Sequence, residues 1–396
     1  MALLPLGQAF EHYARTLAPL SVQRVPLELA LGSVLAESPK ARIALPRFTQ
    51  SAMDGYAVRA ADGVASRQLI GTAAAGSPAG VHVGPGQAVR ILTGGMLPDG
   101  ADAVARQEIV ERDGHGICLR QAVRVGDEVR REGEELLAGT VLAHAGQRVT
   151  SGLVAALAMA GVDTLDVHRR PRIAVLVTGD EVLRVGHPLG PGQIYDANGP
   201  LLRSWFVEHG YGEPVVAYVP DDEAALEEAL SAALDSADLV VTSGGVSVGD
   251  RDYVPAVADR LGVRASFWKV AQKPGKPLWY GVRDGKALLG MPGNPAAVLV
   301  CLVVHARAVL SHLEGETAVQ PVWSQGVLTE SMDADAQRDR LVRMRLDLGD
   351  GTARLHLLPK QESHMLSNLA SAHVLAWLPA RDEAFKAGER VAWVPI

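Results

Sequence analysis

Cysteine is nearly absent from this chain of 396 residues: Cys118 and Cys301 stand far apart, with no CxxC or HExxH spacing near them. That scarcity excludes a disulfide framework and a zinc site of the usual spacing. Positive charge is not in excess either. A formal net charge of −7 argues against duplex nucleic acid as a partner but leaves room for a positive pocket around a small anion. The opening MALLPLGQAFEHYARTL has no basic start and carries Glu11 inside an amphipathic run, so it predicts a first helix rather than a signal peptide. The longest apolar run, Ala296 to Val304, stops at His305 and Arg307. That length falls short of a membrane span and predicts a buried helix opening at Asn294–Pro295. Repeats of solenoid period and low-complexity tracts are missing as well. What remains, 48% hydrophobic and 21% charged residues, is the profile of a folded cytoplasmic protein long enough for roughly two to four domains.

Taken in order, the chain changes character three times. Residues 1–46 predict a helix, a short strand and a second helix within SVQRVPLELALGSVLAE, and residues 140–170 return to a helix, SGLVAALAMAGV, capped by Thr150 or Ser151 and stopped by Gly161. Between them, 47–139 holds short apolar runs broken by glycine and proline, the pattern of a β-rich module. Its segment PRFTQSAMDGYAVRA is interrupted by Ser51, Asp54 and Gly55; taken alone, Asp54 closes a turn with Gly55. From 171 to 319, buried strands (IAVLVTG, VVAYV, DLVVTSGG) alternate with helices, predicting a parallel, doubly wound, Rossmann-like three-layer α/β unit. Five short strands in 320–396 predict a small β-barrel.

The stretch from Thr242 to Pro295 carries the chemistry. Gly244, Gly245 and Gly249, with Ser247 among them, follow a strand and allow backbone N–H groups to converge on an oxyanion, although an ordinary strand-to-helix connection has the same composition. Lys269, Lys273 and Lys276 lie within eight positions of one another beside Phe267, Trp268, Trp279 and Tyr280, and Pro274, Gly275 and Pro277 keep them off a solvated helix. A second glycine turn, Pro292, Gly293 and Asn294, follows. Acids gather at strand ends: Asp180 and Glu181, Asp221 and Asp222, Asp250 and Asp252. Parallel topology brings such ends to one sheet edge, beside the lysines, with one of Asp221 and Asp222 serving as a helix cap. Carboxylates beside a phosphate cradle suit Mg²⁺. These residues by themselves indicate a Mg²⁺ enzyme acting on a phosphorylated or oxyanionic small molecule and do not name the reaction. Neither cysteine has an activating neighbour, so both are read as packing residues.

Six motifs together, SAMDGYA (51–57), TGGMLPDGADAV (93–104), TGDEV (178–182), SGGVSVGDRDY (243–253), KPGKP (273–277) and PGNPAA (292–297), resemble the molybdopterin molybdenumtransferase family, which includes the carboxy-terminal domain of gephyrin. The resemblance runs from the first helix to the last strand. It implies a split helical domain (1–46 plus 140–170), a β-rich domain (47–139), a Rossmann-like molybdopterin-binding domain (171–319) and a carboxy-terminal barrel (320–396), in an elongated homodimer. It also implies the reaction: molybdate is inserted into adenylylated molybdopterin, with Mg²⁺-dependent hydrolysis of the phosphoanhydride and release of AMP. Asp54 and Thr93 are implied at a cleft across the dimer interface, Glu181, Asp221 and Asp252 as essential acids with Asp221 and Asp252 on Mg²⁺, and Lys269 and Lys273 as essential lysines. Gly244, Gly245, Ser247, Gly249, Lys276, Pro292, Gly293 and Asn294 are implied on the nucleotide–pterin side, and Arg343, Ser363 and Lys273 around molybdate. Implied partners include a molybdopterin adenylyltransferase and downstream cofactor-handling proteins, without nucleic acid or membrane. The neighbouring readings are that adenylyltransferase activity itself, or a gephyrin-like scaffold. Two positions depart from the family pattern: Glu135 replaces an aspartate, and Glu362 replaces the glycine before Ser363. Tungstate fits the same donors as molybdate.

Overall fold

The computed structural model describes residues 3–114, 116–246, 252–349 and 351–396. At its centre is a six-stranded sheet in the order Val215–Val219, Ile173–Thr178, Leu239–Ser243, Lys286–Met291, Trp279–Arg283, Arg264–Trp268. Its strands are buried on both faces, as near-continuous apolar runs require. Val175, Val177, Leu239 and Val241 face a layer containing the helices Asn198–Glu208 and Pro295–Cys301. Ala174, Leu176 and Val240 face the helices Glu223–Ser236 and Val254–Arg260. The result is the expected three-layer unit.

The sheet is not wholly parallel. Its first four strands are, but Trp279–Arg283 runs against them and pairs antiparallel on both sides, so the edge strand Arg264–Trp268 points with the first four again. The cause is local: Asp284 (φ 52°) and Gly285 (φ 77°) both take left-handed conformations between Arg283 and Lys286. Two such residues make the tight turn that joins antiparallel strands.

The apolar run beginning at Ala296 also extends further than its composition suggests. Helix continues from Pro295 to Leu313, with a π turn at Leu302–Ala306. At 19 residues and mean hydropathy 1.9 it is long and apolar enough to cross a membrane, yet 89% of it is buried inside the protein. His305 does not end it because both ring nitrogens find buried partners.

A second departure concerns the amino-terminal region. The first helix, Leu6–Thr16, forms and packs Leu6, Phe10 and Tyr13 into the α/β core. The expected second helix is a single 3₁₀ turn, Leu27–Leu29. Beyond it Gly32 turns with φ 73°, and the next backbone N–H groups bond to distant carbonyls, Leu35 to Gln147 and Ala36 to Asp166, instead of to the preceding helical turn. Tertiary pairing has overridden helix propensity here. Strand Val22–Pro26 pairs with Thr164–His168, and helix Ser151–Met159 forms beside them with Thr150 Oγ1 capping Leu153 N.

Both β predictions give sheets. Within 47–139 six strands order as Ala103–Arg106, Gly55–Val58, Gln87–Ile91, Arg67–Ala73, Gly116–Leu119, Val110–Asp113. At the carboxy terminus Asp339–Asp347, Arg354–Leu357, Ser324–Leu328, Arg390–Pro395 and Val374–Leu378 close on themselves as a five-stranded barrel. A sixth piece of backbone, Gln272–Lys273, leaves the α/β unit to pair in parallel with Asp339 and Arg340 of the barrel.

Asp238 anchors the central strand at its start. Its carboxylate, almost wholly buried, accepts from Arg169 Nη1 at 2.6 Å and Nη2 at 2.9 Å and from the backbone N of Arg172 at 2.8 Å. Burial pushes the carboxyl up, but these arginine bonds outweigh it and hold the group well below the usual carboxylate range. Its contribution is therefore complete above the unfolded-state value of about 4 and is lost as pH falls toward the folded value. Asp238→Ala is expected to destabilise the protein by about 2 kcal/mol, less than for a fully buried pair because Arg172 is half exposed. Chemical denaturation at pH 7 and at pH 3 should show that loss shrinking in acid.

Candidate functional site

The parallel register decides where the loops open. Thr178 lies level with Val219, Val177 with Ser243, and Ser243 with Met291. The four following loops therefore emerge at one edge, where ligands bind in sheets of this type. They enclose a cavity of about 490 Å³. Glu181 comes from the first loop, Asp221 from the second, Gly244, Gly245 and Asp252 from the third, and Gly293 and Asn294 from the fourth. Gly244 has φ 96°, and a Cβ there would sit 2.7 Å from Thr178 Oγ1, so only glycine fits this floor.

Of the acids grouped by sequence, Glu181, Asp221 and Asp252 do share this wall. Asp222 instead caps its helix, accepting from Ala225 N at 2.8 Å, and Asp180 holds the Asp221 backbone N at 3.0 Å. Ser247, Gly249 and Asp250 lie outside the described residues. Among the described residues no three His, Cys, Asp or Glu side chains form a ready metal cage. Two carboxylates on one wall nevertheless suit Mg²⁺, which completes its shell with substrate phosphate and water.

Three contributors to this cavity were not singled out from the sequence. Asp196 is buried and accepts from Tyr218 Oη at 2.7 Å and from the backbone of Asn198 and Gly199. Burial and that bond push the Tyr218 hydroxyl up to about 12. Asn198 donates through Nδ2 to Ser243 Oγ and to Gly293 O, both at 2.7 Å, tying the third and fourth loops together. Its Oδ1 is buried and has no hydrogen-bond partner among the described residues. The signal was the tripeptide Asp196–Ala197–Asn198 opening a helix, which reads as ordinary capping until the fold closes around it. His364, from the barrel, also lines this cavity.

A second cavity, of about 230 Å³, adjoins the first and shares Asn294 with it. Lys273, Lys276, Arg338 and Ser363 line it, together with Gln361 and Glu362. Asn294 Nδ2 donates to Ser363 Oγ at 2.9 Å, and Ala296 N donates to Ser363 O at 3.2 Å, so the start of the long helix grips the barrel loop. Lysines and acids, expected side by side, thus occupy adjoining compartments. Lys269 lines neither; its ammonium stands 4.5 Å over the Trp268 ring.

Arg343 also stands apart from both cavities. It is buried, and its guanidinium donates to the carbonyls of Lys360 (3.0 Å), Met365 (3.2 Å) and Glu362 (3.3 Å). It braces from beneath the loop that carries Ser363 and His364. The guanidinium in the cavity wall is that of Arg338, held by Asp335 at 2.8 Å. RDRLVRMRL offers four arginines within eight residues, and only the barrel decides which one faces in.

Asp54 and Thr93 meet one another on the β-rich module. Asp54 Oδ1 accepts from Thr93 N at 2.8 Å and Oγ1 at 2.7 Å, and both residues are exposed. They line neither cavity of their own chain. Cys301 is buried, which pushes its thiol up and leaves it unreactive, and Cys118 is half-buried.

Comparison with known proteins gives three consecutive family matches: "MoeA N-terminal region (domain I and II)" over residues 4–161, "Probable molybdopterin binding domain" over 174–312, and "MoeA C-terminal region (domain IV)" over 325–396. A Haemophilus influenzae molybdopterin molybdenumtransferase is 34% identical over 401 residues, covering 100% of this chain and 99% of the relative. The Staphylococcus epidermidis protein of that name is 32% identical, covering 93% and 89%. Among solved structures, a molybdopterin biosynthesis MoeA protein from Pyrococcus horikoshii superposes with TM-score 0.84 at 29% identity over 99% of both chains.

The Asp54–Thr93 contact gives a direct test. Hydrogen bonds from the Thr93 backbone and then its hydroxyl hold the Asp54 carboxyl below its ordinary value, so Asp54 stays charged to lower pH than a free aspartate. Thr93→Val removes the hydroxyl and keeps the backbone N–H. The Asp54 titration, followed by carboxyl NMR, is expected to move part of the way back up.

Proposed function

Since the chain belongs to the molybdopterin molybdenumtransferase family and is a transferase, we propose that it inserts molybdate into adenylylated molybdopterin, hydrolysing the phosphoanhydride and releasing AMP. One observation carries this reading: an acid-walled cavity and a cation-walled cavity adjoin, with Asn294 belonging to both. A substrate spanning them would place its phosphoanhydride among the carboxylates and its dithiolene next to the oxyanion.

Each residue then has a task. Gly244, Gly245, Gly293 and Asn294 let the backbone approach the nucleotide–pterin substrate closely. Asn198 ties the loop of Gly293 to Ser243 and so holds that approach in place. Asp221 and Asp252 would hold Mg²⁺, which when bound offsets phosphate charge. Glu181 orients the attacking water. Molybdate is a dianion, so Lys273, Lys276 and Arg338 attract it while Ser363 Oγ–H donates to it. Arg343 acts through the loop carbonyls it binds, as a positioning residue rather than a contact. Lys269, its ammonium over Trp268, lines neither cavity and in this reading meets the phosphate only on moving off that ring.

In the same reading the chain divides into 1–46 with 140–170, 47–139, 171–319 and 320–396, and works in the cytoplasm as a homodimer that receives its substrate from a molybdopterin adenylyltransferase. Helix Ser151–Met159 supports the dimer. It buries only Leu157 and leaves Met159 57% exposed, and the 3₁₀ turn it contacts carries Leu29, 74% exposed, with Leu31 at 56% just beyond. An apolar surface of that kind marks an interface. Asp54 and Thr93, which line neither of these cavities in their own chain, would serve the cleft of the second copy.

Lys273→Ala is expected to lower kcat/KM for molybdate on the order of 10²-fold, the effect of deleting one preorganised donor to an anion. Purified protein should release AMP from adenylylated molybdopterin; ATP-dependent adenylylation of molybdopterin without molybdate would overturn the assignment. Ala155→Glu, on the exposed face of the apolar helix, is expected to shift the protein from dimer to monomer in light scattering.

A further inference from the structure

The molybdate reading leaves unexplained a buried histidine behind the lysine turn. His305, Tyr13, Gln272 and Cys301 are all 0% exposed. Tyr13 Oη lies 2.9 Å from His305 Nδ1, and His305 Nε2 lies 2.8 Å from Gln272 Oε1. Gln272 Nε2 then donates to Gly275 O at 3.3 Å. The direction of the chain follows from chemistry. Gln272 Oε1 can only accept, so His305 Nε2 carries the proton. Burial pushes the imidazole down to about 3, so it is neutral and its Nδ1 is an acceptor. Tyr13 must therefore donate, and every polar atom points one way: Tyr13 to His305 to Gln272 to Gly275.

We infer that this buried relay is a positioning device for the molybdate compartment, fixing the turn that presents Lys273 and Lys276; the inference rests on the molybdate reading of that compartment. Gln272 and Lys273 are consecutive in an extended segment, where successive side chains point to opposite sides. Gln272 forms part of the buried inner wall of the cavity, and fastening it there sets Lys273, which also lines the cavity, on the opposite and exposed side of the segment. Gly275, between the two lysines, closes onto the relay: a Cβ there would lie 2.5 Å from Gln272 Nε2 and 3.1 Å from Cys301 Sγ. Two other contacts aim at the same backbone. Leu4, just before the first helix, exchanges hydrogen bonds with Lys269 O (3.1 Å) and Ala271 N (2.7 Å), so that helix holds the lysine segment through both main chain and Tyr13. The helix carrying His305 begins at Pro295, and Asn294 just before it grips Ser363. Its π turn, Leu302–Ala306, contains His305, and such insertions often accompany functional sites. One framework thus sets the spacing between the lysines and the serine across the cavity.

Gln272→Met keeps the volume and burial but removes the side-chain hydrogen bonds to His305, Gly275 O and Cys301 Sγ. In the full-length protein it is expected to raise the KM for molybdate, and the molybdate Kd by equilibrium dialysis, about tenfold, with kcat within about twofold. AMP affinity, reporting the other cavity, should not move. Tyr13→Phe removes one hydroxyl at the far end and should give a smaller shift in the same direction; it carries the test if Gln272→Met does not fold. Unchanged molybdate affinity in the folded variant, with Lys273→Ala still weakening it, would overturn the relay. If Lys273→Ala also left molybdate affinity unchanged, the molybdate reading itself would fall.

Discussion

The backbone from Gln272 to Lys276 is claimed by two folded units at once, and the site depends on that shared claim. Gln272 and Lys273 pair with the barrel strand at Asp339 and Arg340, while the same residues continue from Val270, in the α/β core, and lead into Leu278. A segment held from both sides cannot follow one unit without the other. The barrel wall bearing Arg338 and Ser363 is thereby fixed against the sheet edge bearing Asn294. Loose linkage would leave an open groove between two domains; pairing makes a compartment.

That compartment solves an electrostatic problem. Carboxylates and ammonium groups in one cavity would neutralise each other and lose their hold on substrate. Here Glu181, Asp221 and Asp252 face one space, and Lys273, Lys276 and Arg338 face the next. The partition between them is made of neutral groups, chiefly Asn294 and its bond to Ser363. Glu362 is the exception, a carboxylate among cations, yet its own carbonyl is one of the three that bind Arg343. Beneath the surface, neutral hydrogen bonds do the holding: Asn198 joins two loops, and Gln272 joins the lysine turn to the helix below.

Much of the fold was legible because burial writes itself into composition. IAVLVT and LVVTS read as strands covered on both sides, and five short strands in 320–396 marked the barrel. The antiparallel edge was legible too, in Asp284–Gly285, but the run of alternating strands and helices obscured it. What could not be read was which of several equivalent side chains faces inward. Arg338 and Arg343 lie five positions apart in one arginine-rich stretch; barrel closure sends one to the cavity and the other beneath a loop. Lys269 and Lys273 sit in one cluster, yet Lys269 turns back over Trp268 with φ 71° while Lys273 faces the cavity.

Sequence by itself determined the element types of the α/β unit and the barrel, the sheet edge where loops would open, and the presence of both a lysine turn and an acidic set, because these follow from periodicity, glycine placement and strand order. Tertiary structure alone decided that acids and lysines occupy separate compartments, that Asp54 pairs with Thr93 away from both, and that His305 backs the lysine turn. Those outcomes depend on the relative placement of sheet, barrel and first helix. That placement is set by contacts between residues as far apart as Tyr13 and His305, which local pattern does not encode.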